Sequence, residues 1–369
     1  MLELSDKQKF TFTQNVEQIT TKDEERVLKE IDSEIEKLQK ILAKRPSAKM
    51  EALINDAVLF HNILKAKDFP LSESSRKWIV FGLNYLIADF DLIPDYIPYI
   101  GYYDDALILS WIKNVVDYDI TRFKFFSKAI SIGKEGSILE TLAEGNEQEE
   151  IIIIPGLMAN KQSDDYFKRW IKLVQKSRLG ANNPGISMLV WRSAYTPVFE
   201  STILTVDHEL KLKPNYDLEK FDIEWNQLKL DYTHLAPAFY RDLKKKKQEH
   251  PDKKISVITL NAGTFVVDNP PQLSDLEMID KYYVFGGCSR SSTLNEVLNR
   301  HIRKIYNFYN PADAALRFVF ENFENNNMPI GYRESLETSG NSIHNVNAKG
   351  LIKRHNEYRN KFPELIEKI

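Results

Sequence analysis

The first part of the chain carries apolar residues at three- and four-residue steps, with charged residues between them. One such stripe consists of Leu28, Ile31, Ile35, Leu38 and Leu42. This spacing places the apolar side chains on one face of an amphipathic helix. Pro46 interrupts the pattern and a second stripe follows it. Residues 22–67 are therefore predicted to form two helices.

Residues 74–130 have a different texture, because aromatic residues are frequent and Ile79 to Ile112 contains no lysine or arginine. Pro94 and Pro98 cannot lie inside a regular helix. The pattern predicts two apolar helices joined by a tight extended link.

After about residue 150, short apolar runs alternate with helical ones. The strand-like runs are Ile151–Ile154, Ser187–Trp191, Ile255–Leu260, Tyr282–Phe285 and Ile305–Tyr309. The helical runs are Asp165–Leu179, Leu235–Lys247, Thr293–Ile302 and Ala312–Asn322. Such alternation favours a mostly parallel sheet of about five or six strands, with helices on both faces.

The predicted fold class is α/β, with an N-terminal helical domain at 1–143 and an α/β domain at 150–369. The polar and acidic residues 144–150 form the predicted linker between them. Residues 193–233 hold prolines and many charges and interrupt the alternation of strands and helices. This interruption predicts a cap or lid over a site.

Composition narrows the classes of function. The 369 residues carry a net charge of −3, which gives no general attraction for nucleic acid. The basic run from Lys244 to Lys247 is interpreted as a solvated helix end. A single cysteine, Cys288, excludes an internal disulfide framework and a cysteine-based zinc site. No apolar run is long enough to span a membrane, and a single cysteine fits a reducing compartment. The chain is therefore predicted to be cytoplasmic or peripheral to a membrane. No metal or cofactor is predicted.

The link between the two apolar helices has a distinctive sequence. It reads Asp89-Phe-Asp-Leu-Ile-Pro-Asp-Tyr-Ile-Pro-Tyr-Ile-Gly-Tyr-Tyr-Asp-Asp-Ala106. The two prolines, the glycine and the acidic pair, in this order, resemble the signature of the YkvA-like domains, a small helical family often associated with membranes. The resemblance implies a YkvA-like hairpin at 74–116, but it implies no defined chemistry.

The residues of this segment leave two questions open. Its aspartates either surround a hard cation or, as is commoner beside prolines, order the turn and cap helices. They are Asp89, Asp91, Asp95, Asp104 and Asp105. Its aromatic side chains either enter a membrane interface or pack on the C-terminal domain. They are Trp78, Tyr85, Tyr96, Tyr99, Tyr102, Tyr103 and Trp111.

Two strands of the second domain run into turns that can carry chemistry. The strand at 151–154 is followed by Pro155-Gly156, and the strand at 255–260 is followed by Asn261-Ala-Gly263. The second turn resembles the G-x-S-x-G elbow of the α/β-hydrolase superfamily, in which the serine is the nucleophile. Here Thr259 stands at the first glycine and Asn261 at the serine.

Two later residues fit the rest of a triad. Asp313 lies just past the strand-like run Ile305–Tyr309, and His355 lies near the C-terminus. In α/β hydrolases the acid and then the histidine follow the nucleophile in this order. Over about residues 150–365 the blocks resemble a lipase-like branch of the superfamily, related to the transmembrane-and-coiled-coil lipase-like proteins. The oxyanion donors that the resemblance implies are the backbone N–H groups of Leu157 or Met158 and of Ala262.

Asparagine at the nucleophile position changes the expected chemistry. Its amide nitrogen is conjugated, so a histidine cannot usefully activate it. An alternative elbow, Gly287-Cys-Ser289-Arg-Ser291, offers Ser289 or Cys288 as the nucleophile. With that elbow, Asp313 would come one step too early for the usual order.

The other triad positions also have structural interpretations. Asp313 precedes a helical run and is equally suited to cap that helix. His355 stands among charged residues and is equally suited to a helix surface. His344, in a predicted loop, is the alternative histidine.

The sequence therefore predicts a degenerate α/β-hydrolase-like protein, a ligand-binding or regulatory module with asparagine in place of the serine nucleophile. The predicted partners are an acyl or lipid ligand and a membrane surface, but no nucleic acid. One alternative is an active lipase- or esterase-like hydrolase that uses Ser289 or an unconventional arrangement of Asp313 and His355. Another is a membrane-peripheral adaptor that acts through residues 74–116. The oligomeric state is left open.

Overall fold

The structure is a computed structural model of the chain, and it forms two compact units, Met1–Lys124 and Phe125–Ile369. The residues it describes are 4–88, 102–156, 164–191, 196–209, 217–271, 278–293, 302–325, 327–335 and 342–369.

The first unit is helical. Its helices are α1 (Asp6–Glu17), α2 (Thr21–Lys44), α3 (Ala48–Lys65), α4 (Glu73–Ile87), α5 (Tyr103–Val115) and the first part of α6 (Asp117–Glu135). Ile31, Ile35 and Leu38 of the predicted stripe are buried on α2. The break at Pro46 is also present, because α2 ends before it and α3 begins just after it, where Ser47 caps α3 by accepting a hydrogen bond from the Met50 N–H. The prediction of a helical N-terminal region is confirmed.

Aromatic side chains from α1, α4 and α5 pack together inside this unit. The ring of Trp78 lies 5.1 Å from that of Trp111 and 6.3 Å from that of Phe81, and Phe12 lies 5.6 Å from Phe81. Trp78 and Phe81 are buried. Phe12, Trp78 and Phe81 are therefore core residues of the unit, and Trp111 packs against them half-buried. The link at 89–101, with three of the five aspartates considered for a cation, lies outside the described residues.

The second unit is built on one sheet. Within the described residues its strands are β1 (Leu139–Ala143), β2 (Asn146–Ile154), β3 (Pro184–Leu189), β4 (Lys254–Leu260), β5 (Lys281–Phe285), β6 (Lys304–Tyr309) and β7 (Ser342–Asn347). Their order is β1-β3-β2-β4-β5-β6-β7. β1 is antiparallel to its neighbour and the other pairings are parallel. The predicted α/β class with a mostly parallel sheet is confirmed.

Two edge strands, β1 and β7, were not predicted from the sequence. Both lack the continuous apolar run that marks a strand buried on both faces. Residues 146–150, predicted as part of the linker, form the start of β2 instead. Glu147 is exposed there, whereas Glu150 is buried and pairs with Lys246 at 2.6 Å.

Helices cover both faces of the sheet. They are α7 (Asp164–Lys176), α8 (Pro197–Glu209), α9 (Leu218–Glu249), α10 (Thr264–Val267), α11 (Ala314–Phe323) and α12 (Phe362–Ile366). Two separate apolar clusters form, one on each side of the sheet. In the predicted lid, residues 197–209 form α8 and residues 218–233 form the first half of α9, while residues 193–195 and 210–216 lie outside the described residues. Residues 294–301 of the predicted helix Thr293–Ile302 lie outside the described residues.

None of the helices in the described part of the chain is both long enough and apolar enough to cross a bilayer.

A buried ion pair on α6 gives a stability prediction for the first unit. Arg122 and Asp119 are almost fully buried and paired with each other. The Arg122 guanidinium also donates to the Pro70 carbonyl at 3.0 Å, and the Ser72 hydroxyl donates to Asp119 at 2.6 Å. The two charges therefore compensate each other in a site with little water.

Replacing Arg122 with methionine should lower the free energy of unfolding by about 3–5 kcal/mol, because it leaves the Asp119 carboxylate buried without its cation. Urea unfolding of the full chain measures this change. The matched control is the double variant Arg122→Met with Asp119→Asn, which should recover most of the loss. A loss below about 1 kcal/mol, the scale of an exposed pair, would contradict the expectation.

Candidate functional site

The candidate residues gather at one edge of the sheet. Asn261 follows β4, Cys288 follows β5, Asp313 follows β6 and His355 follows β7. Because the carboxyl ends of parallel strands meet at the same edge, residues far apart in sequence come together there. The crevice outside such strand ends is where ligands of open α/β sheets bind.

Asn261 occupies a sharp turn between β4 and α10. Its φ is +50°, in the left-handed region. Asparagine tolerates this region better than most non-glycine residues, though at some cost. The turn Asn261–Gly263 is a single 3₁₀ turn that leads directly into α10. The order of strand, strained turn and short helix resembles that of a nucleophile elbow.

Glycines on three neighbouring segments make room for this turn. A Cβ atom on Gly156 would lie 2.7 Å from the carbonyl oxygen of Leu260. One on Gly263 would lie 2.8 Å from the carbonyl oxygen of Ile154. Gly286, with a φ of +57°, would bring a Cβ to 3.1 Å from Asn261 Oδ1. The backbone of β2, β4 and the loop after β5 therefore approach more closely than a side chain allows.

The carboxamide of Asn261 is not locked by the surrounding protein. Its Oδ1 is buried and accepts no hydrogen bond from any described residue. The hydroxyl of Tyr358 is likewise buried and unpaired among the described residues. Unsatisfied buried polar atoms are uncommon and mark a place where a ligand or water completes the hydrogen bonding.

His355 and Asp313 form a hydrogen-bonded pair. His355 Nδ1 lies 2.7 Å from Asp313 Oδ2, and 11% of the histidine side chain is exposed. The other carboxylate oxygen of Asp313 accepts the N–H of Leu316 at 3.0 Å and so caps α11. The two roles considered for Asp313, histidine partner and helix cap, are met by its two oxygens at once.

A second carboxylate reaches the same histidine from α8. Asp207 Oδ1 accepts the backbone N–H of His355 at 2.5 Å, and Oδ2 accepts that of Asn356 at 3.4 Å. Sequence reasoning missed Asp207, because it lies in the predicted lid without a motif around it.

The two carboxylates shift the pKa of the His355 imidazole. Burial would lower the pKa of its imidazole, but the charge and hydrogen bond of Asp313, with the charge of Asp207, raise the pKa above its ordinary value of 6.5. Burial raises the pKa of Asp207, which the backbone hydrogen bonds and the charge of His355 only partly oppose. The carboxylates of Asp313 and Asp207 therefore favour the protonated form of the imidazole.

Asn261 and His355 line two adjoining cavities. The first, of about 50 Å³, lies under α8 and is mostly apolar. Its apolar lining includes Phe199, Ile203, Leu204, Trp225, Leu316 and Val319, and its ionisable lining includes Glu200, Asp207 and His355. The second, of about 190 Å³, is more polar and is lined by residues including Gly156, Tyr166, Tyr358 and Arg359. Asn261, His355 and Asn356 line both cavities.

The alternative nucleophiles have unfavourable surroundings. Ser289 is buried, donates to Asp268 Oδ2 at 2.5 Å, and is absent from the described lining of either cavity. Cys288 does line the apolar cavity, but burial raises the pKa of its thiol, which disfavours the thiolate. Arg290, the neighbouring cation considered for activating the thiol, pairs with Glu324 at 3.0 Å.

The remaining predicted residues divide as follows. Ala262, one implied oxyanion donor, is buried and lines the apolar cavity. Leu157 and Met158 lie outside the described residues. His344 lies on β7 with its side chain exposed rather than in a loop. Among the described residues, no group of three histidine, cysteine or acidic side chains is placed to hold a metal ion.

Comparison with known proteins identifies one segment. The family described as "Protein of unknown function (DUF1232)" matches residues 75–111, which lie in α4, the link and α5. This is the YkvA-like family expected from the sequence, so that part of the resemblance is confirmed. No curated protein and no solved structure matches the chain. The resemblance of the second unit to α/β hydrolases is not confirmed by any of these comparisons.

The His355–Asp313 pair predicts a specific pH dependence of stability. A histidine whose folded pKa is raised stabilises the fold fully below its unfolded value of 6.5 and loses that contribution as the pH rises through the folded value. Asp313→Asn removes the charge but leaves a good helix cap. The unsubstituted protein should therefore be more stable than Asp313→Asn below pH 6.5, and this difference in unfolding free energy should shrink as the pH is raised from 6.5. Urea unfolding at several pH values measures it, and a difference that does not vary with pH would contradict the assignment.

Proposed function

We propose that the second unit is an α/β-hydrolase-like domain that binds an uncharged acyl compound at Asn261 and His355 and lacks the serine route of hydrolysis. One observation carries the proposal. The residue on the elbow and the histidine of a buried His–Asp pair line the same two cavities, in the chain order nucleophile, acid, histidine.

The cavities support an acyl ligand with two unlike ends. The apolar cavity under α8 suits a hydrocarbon chain, because its lining is mainly aliphatic and aromatic. The second cavity, with Arg359 over the ring of Tyr166 at 5.2 Å, suits a polar head. The carbonyl group of the ligand would then lie between them, beside Asn261 and His355.

The charges near the histidine favour an ester over a free acid. Glu200 and Asp207 line the apolar cavity together with one imidazole, and Asp313 lies behind that imidazole. A negative charge on the ligand would be repelled by these carboxylates. An uncharged acyl group avoids this repulsion and can still accept hydrogen bonds.

Asparagine at 261 removes the acyl-enzyme route. A carboxamide is not a nucleophile that an imidazole can activate. Loss of the serine from such a triad lowers turnover by about a millionfold, and the histidine alone recovers little of it. We therefore propose that the second unit is a binding or regulatory module. Its site would keep the elbow turn, the acid and the histidine of a hydrolase without the serine.

Replacing Asn261 with serine should create esterase activity, because serine would then stand on the elbow beside His355. We expect hydrolysis of short and long p-nitrophenyl esters to rise by at least about a hundredfold over the unsubstituted protein, a modest part of what a complete triad provides. A spectrophotometric assay of p-nitrophenol release measures it.

The control is the double variant Asn261→Ser with His355→Gln, which should return to the background rate. Ser289→Ala in the unsubstituted protein should change nothing. If Asn261→Ser stays at background, the elbow assignment is wrong. If the unsubstituted protein is active and Ser289→Ala abolishes that activity, the alternative nucleophile is correct.

Ligand binding can be tested without catalysis. Ile203→Asp places a carboxylate in the apolar cavity from α8, so it should weaken binding of a fluorescent medium-chain acyl glycerol by about tenfold or more. Ser201→Asp, an exposed position on the same helix, is the matched control and should leave binding unchanged. Fluorescence titration gives both dissociation constants. Equal affinity of the two variants would place the ligand elsewhere.

The described residues do not favour the membrane-adaptor alternative. Trp78 and Phe81 of the YkvA-like segment lie in the core of the first unit. Contact with a membrane surface therefore stays a prediction from the sequence.

A further inference from the structure

Helix α8 is fixed firmly at its N-terminal end. The ring of Phe199 stacks on Phe221 with centroids 4.6 Å apart and on Trp225 at 5.4 Å. The backbone N–H of Phe199 donates to the buried carboxylate of Glu224 at 2.6 Å. Stacked aromatic rings and a charge-assisted hydrogen bond both resist displacement. This end of α8 therefore moves with α9.

The C-terminal half of α8 reaches the candidate site through Asp207. Each oxygen of its carboxylate accepts one backbone N–H, from His355 and from Asn356. These two N–H groups begin the short 3₁₀ turn His355–Glu357, and short turns have few internal hydrogen bonds of their own to hold them. Asp207 thus fixes the turn that carries the histidine.

We infer that Asp207 is a positioning residue for His355. It lies on α8, the helix that covers the apolar cavity, and it holds the backbone of His355 from there. The position of the histidine relative to Asn261 therefore depends on α8 being closed over the cavity. Asp207 touches only the backbone of the histidine turn, whereas Asp313 holds the imidazole ring. The histidine is therefore held from two elements, α8 and the N-terminus of α11.

This arrangement couples the cavity to the histidine. In this structure the apolar cavity measures about 50 Å³, room for about three water molecules at roughly 15 Å³ each, so it must widen before it takes the hydrocarbon chain that its lining suits. Entry of the ligand of the proposed function, on which this step rests, requires the C-terminal half of α8 to move. That movement withdraws Asp207, so His355 loses both a backbone anchor and a neighbouring negative charge.

The groups that face His355 determine what such a withdrawal changes. Asp313 and Asp207 are the two carboxylates that raise the pKa of its imidazole. Tyr358 lies with its ring 6.2 Å away, and Glu200 and Cys288 line the same cavity. Removing the charge of Asp207 therefore lowers the histidine pKa while the Asp313 pair remains.

The test uses the full chain without ligand, so its result does not depend on the proposed function. Asp207→Asn keeps an oxygen that can accept the His355 N–H but removes the charge, and Asp207→Ala removes both. NMR titration of the histidine ring, assigned by its loss in His355→Gln, gives the pKa in each variant. Hydrogen exchange at residues 197–209, 355 and 356 reports the anchoring. Ser201→Ala, exposed on α8, is the control.

We expect Asp207→Asn to lower the pKa of His355. We expect Asp207→Ala to lower it too and to speed exchange of the His355 and Asn356 amides and of the C-terminal half of α8 by about tenfold or more, the scale of a lost hydrogen bond to a charged group. Ser201→Ala should change neither. Either an unchanged His355 pKa in Asp207→Asn or unchanged exchange in a folded Asp207→Ala overturns the inference. If Asp207→Ala does not fold, the titration of Asp207→Asn decides alone.

Discussion

The Asp313 carboxylate is the contact on which the geometry of the site depends. A buried carboxylate needs hydrogen-bond donors or a cation beside it, because it has lost contact with water. Here one oxygen caps the N-terminus of α11 through the Leu316 N–H, where the helix dipole favours a negative charge. The other oxygen holds Nδ1 of His355. The cap stabilises the anion, and the anion in turn fixes the orientation and the charge of the imidazole.

The backbone at Asn261 points to a site rather than to a simple connection. A left-handed residue costs of order 1 kcal/mol, and such strain persists where the surroundings determine it. Three glycines bring neighbouring backbone against this turn more closely than side chains permit. A strand could enter a helix through a relaxed turn at no such cost. The arrangement instead presents the side chain of residue 261 to the cavities, which supports the proposed binding of a ligand there.

The features that could be predicted from the sequence are those that lie within one segment of the chain, and contacts between distant segments could not be predicted. The central strands could be predicted because their apolar runs are continuous, and Asp313 and His355 could be nominated from chain order. β7 could not, because Ser342-Ile-His-Asn-Val-Asn347 has only two apolar residues, and their spacing of three fits neither a continuous apolar run nor strict alternation. Asp207 contacts a residue 148 positions away, and nothing in its neighbours signals that contact. The sequence also could not predict that Asp313 both caps a helix and contacts His355. The two roles were treated as alternatives, but each uses a different oxygen of the carboxylate.

A His–Asp pair beside an asparagine needs a reason other than acyl transfer, because the members of a triad act as a unit and the histidine alone contributes little to catalysis. The structure indicates that the pair contributes to stability. Removing Asp313 would uncap α11 and leave the imidazole of His355 without its partner, and removing His355 would leave a buried carboxylate half-satisfied. The pair also links strands β6 and β7, whose ends it joins, to α8 through Asp207. These contacts keep the edge of the sheet and the cover of the cavity in one arrangement. The contacts of Asp313, His355 and Asp207 therefore hold the candidate site in shape, whether or not hydrolysis takes place there.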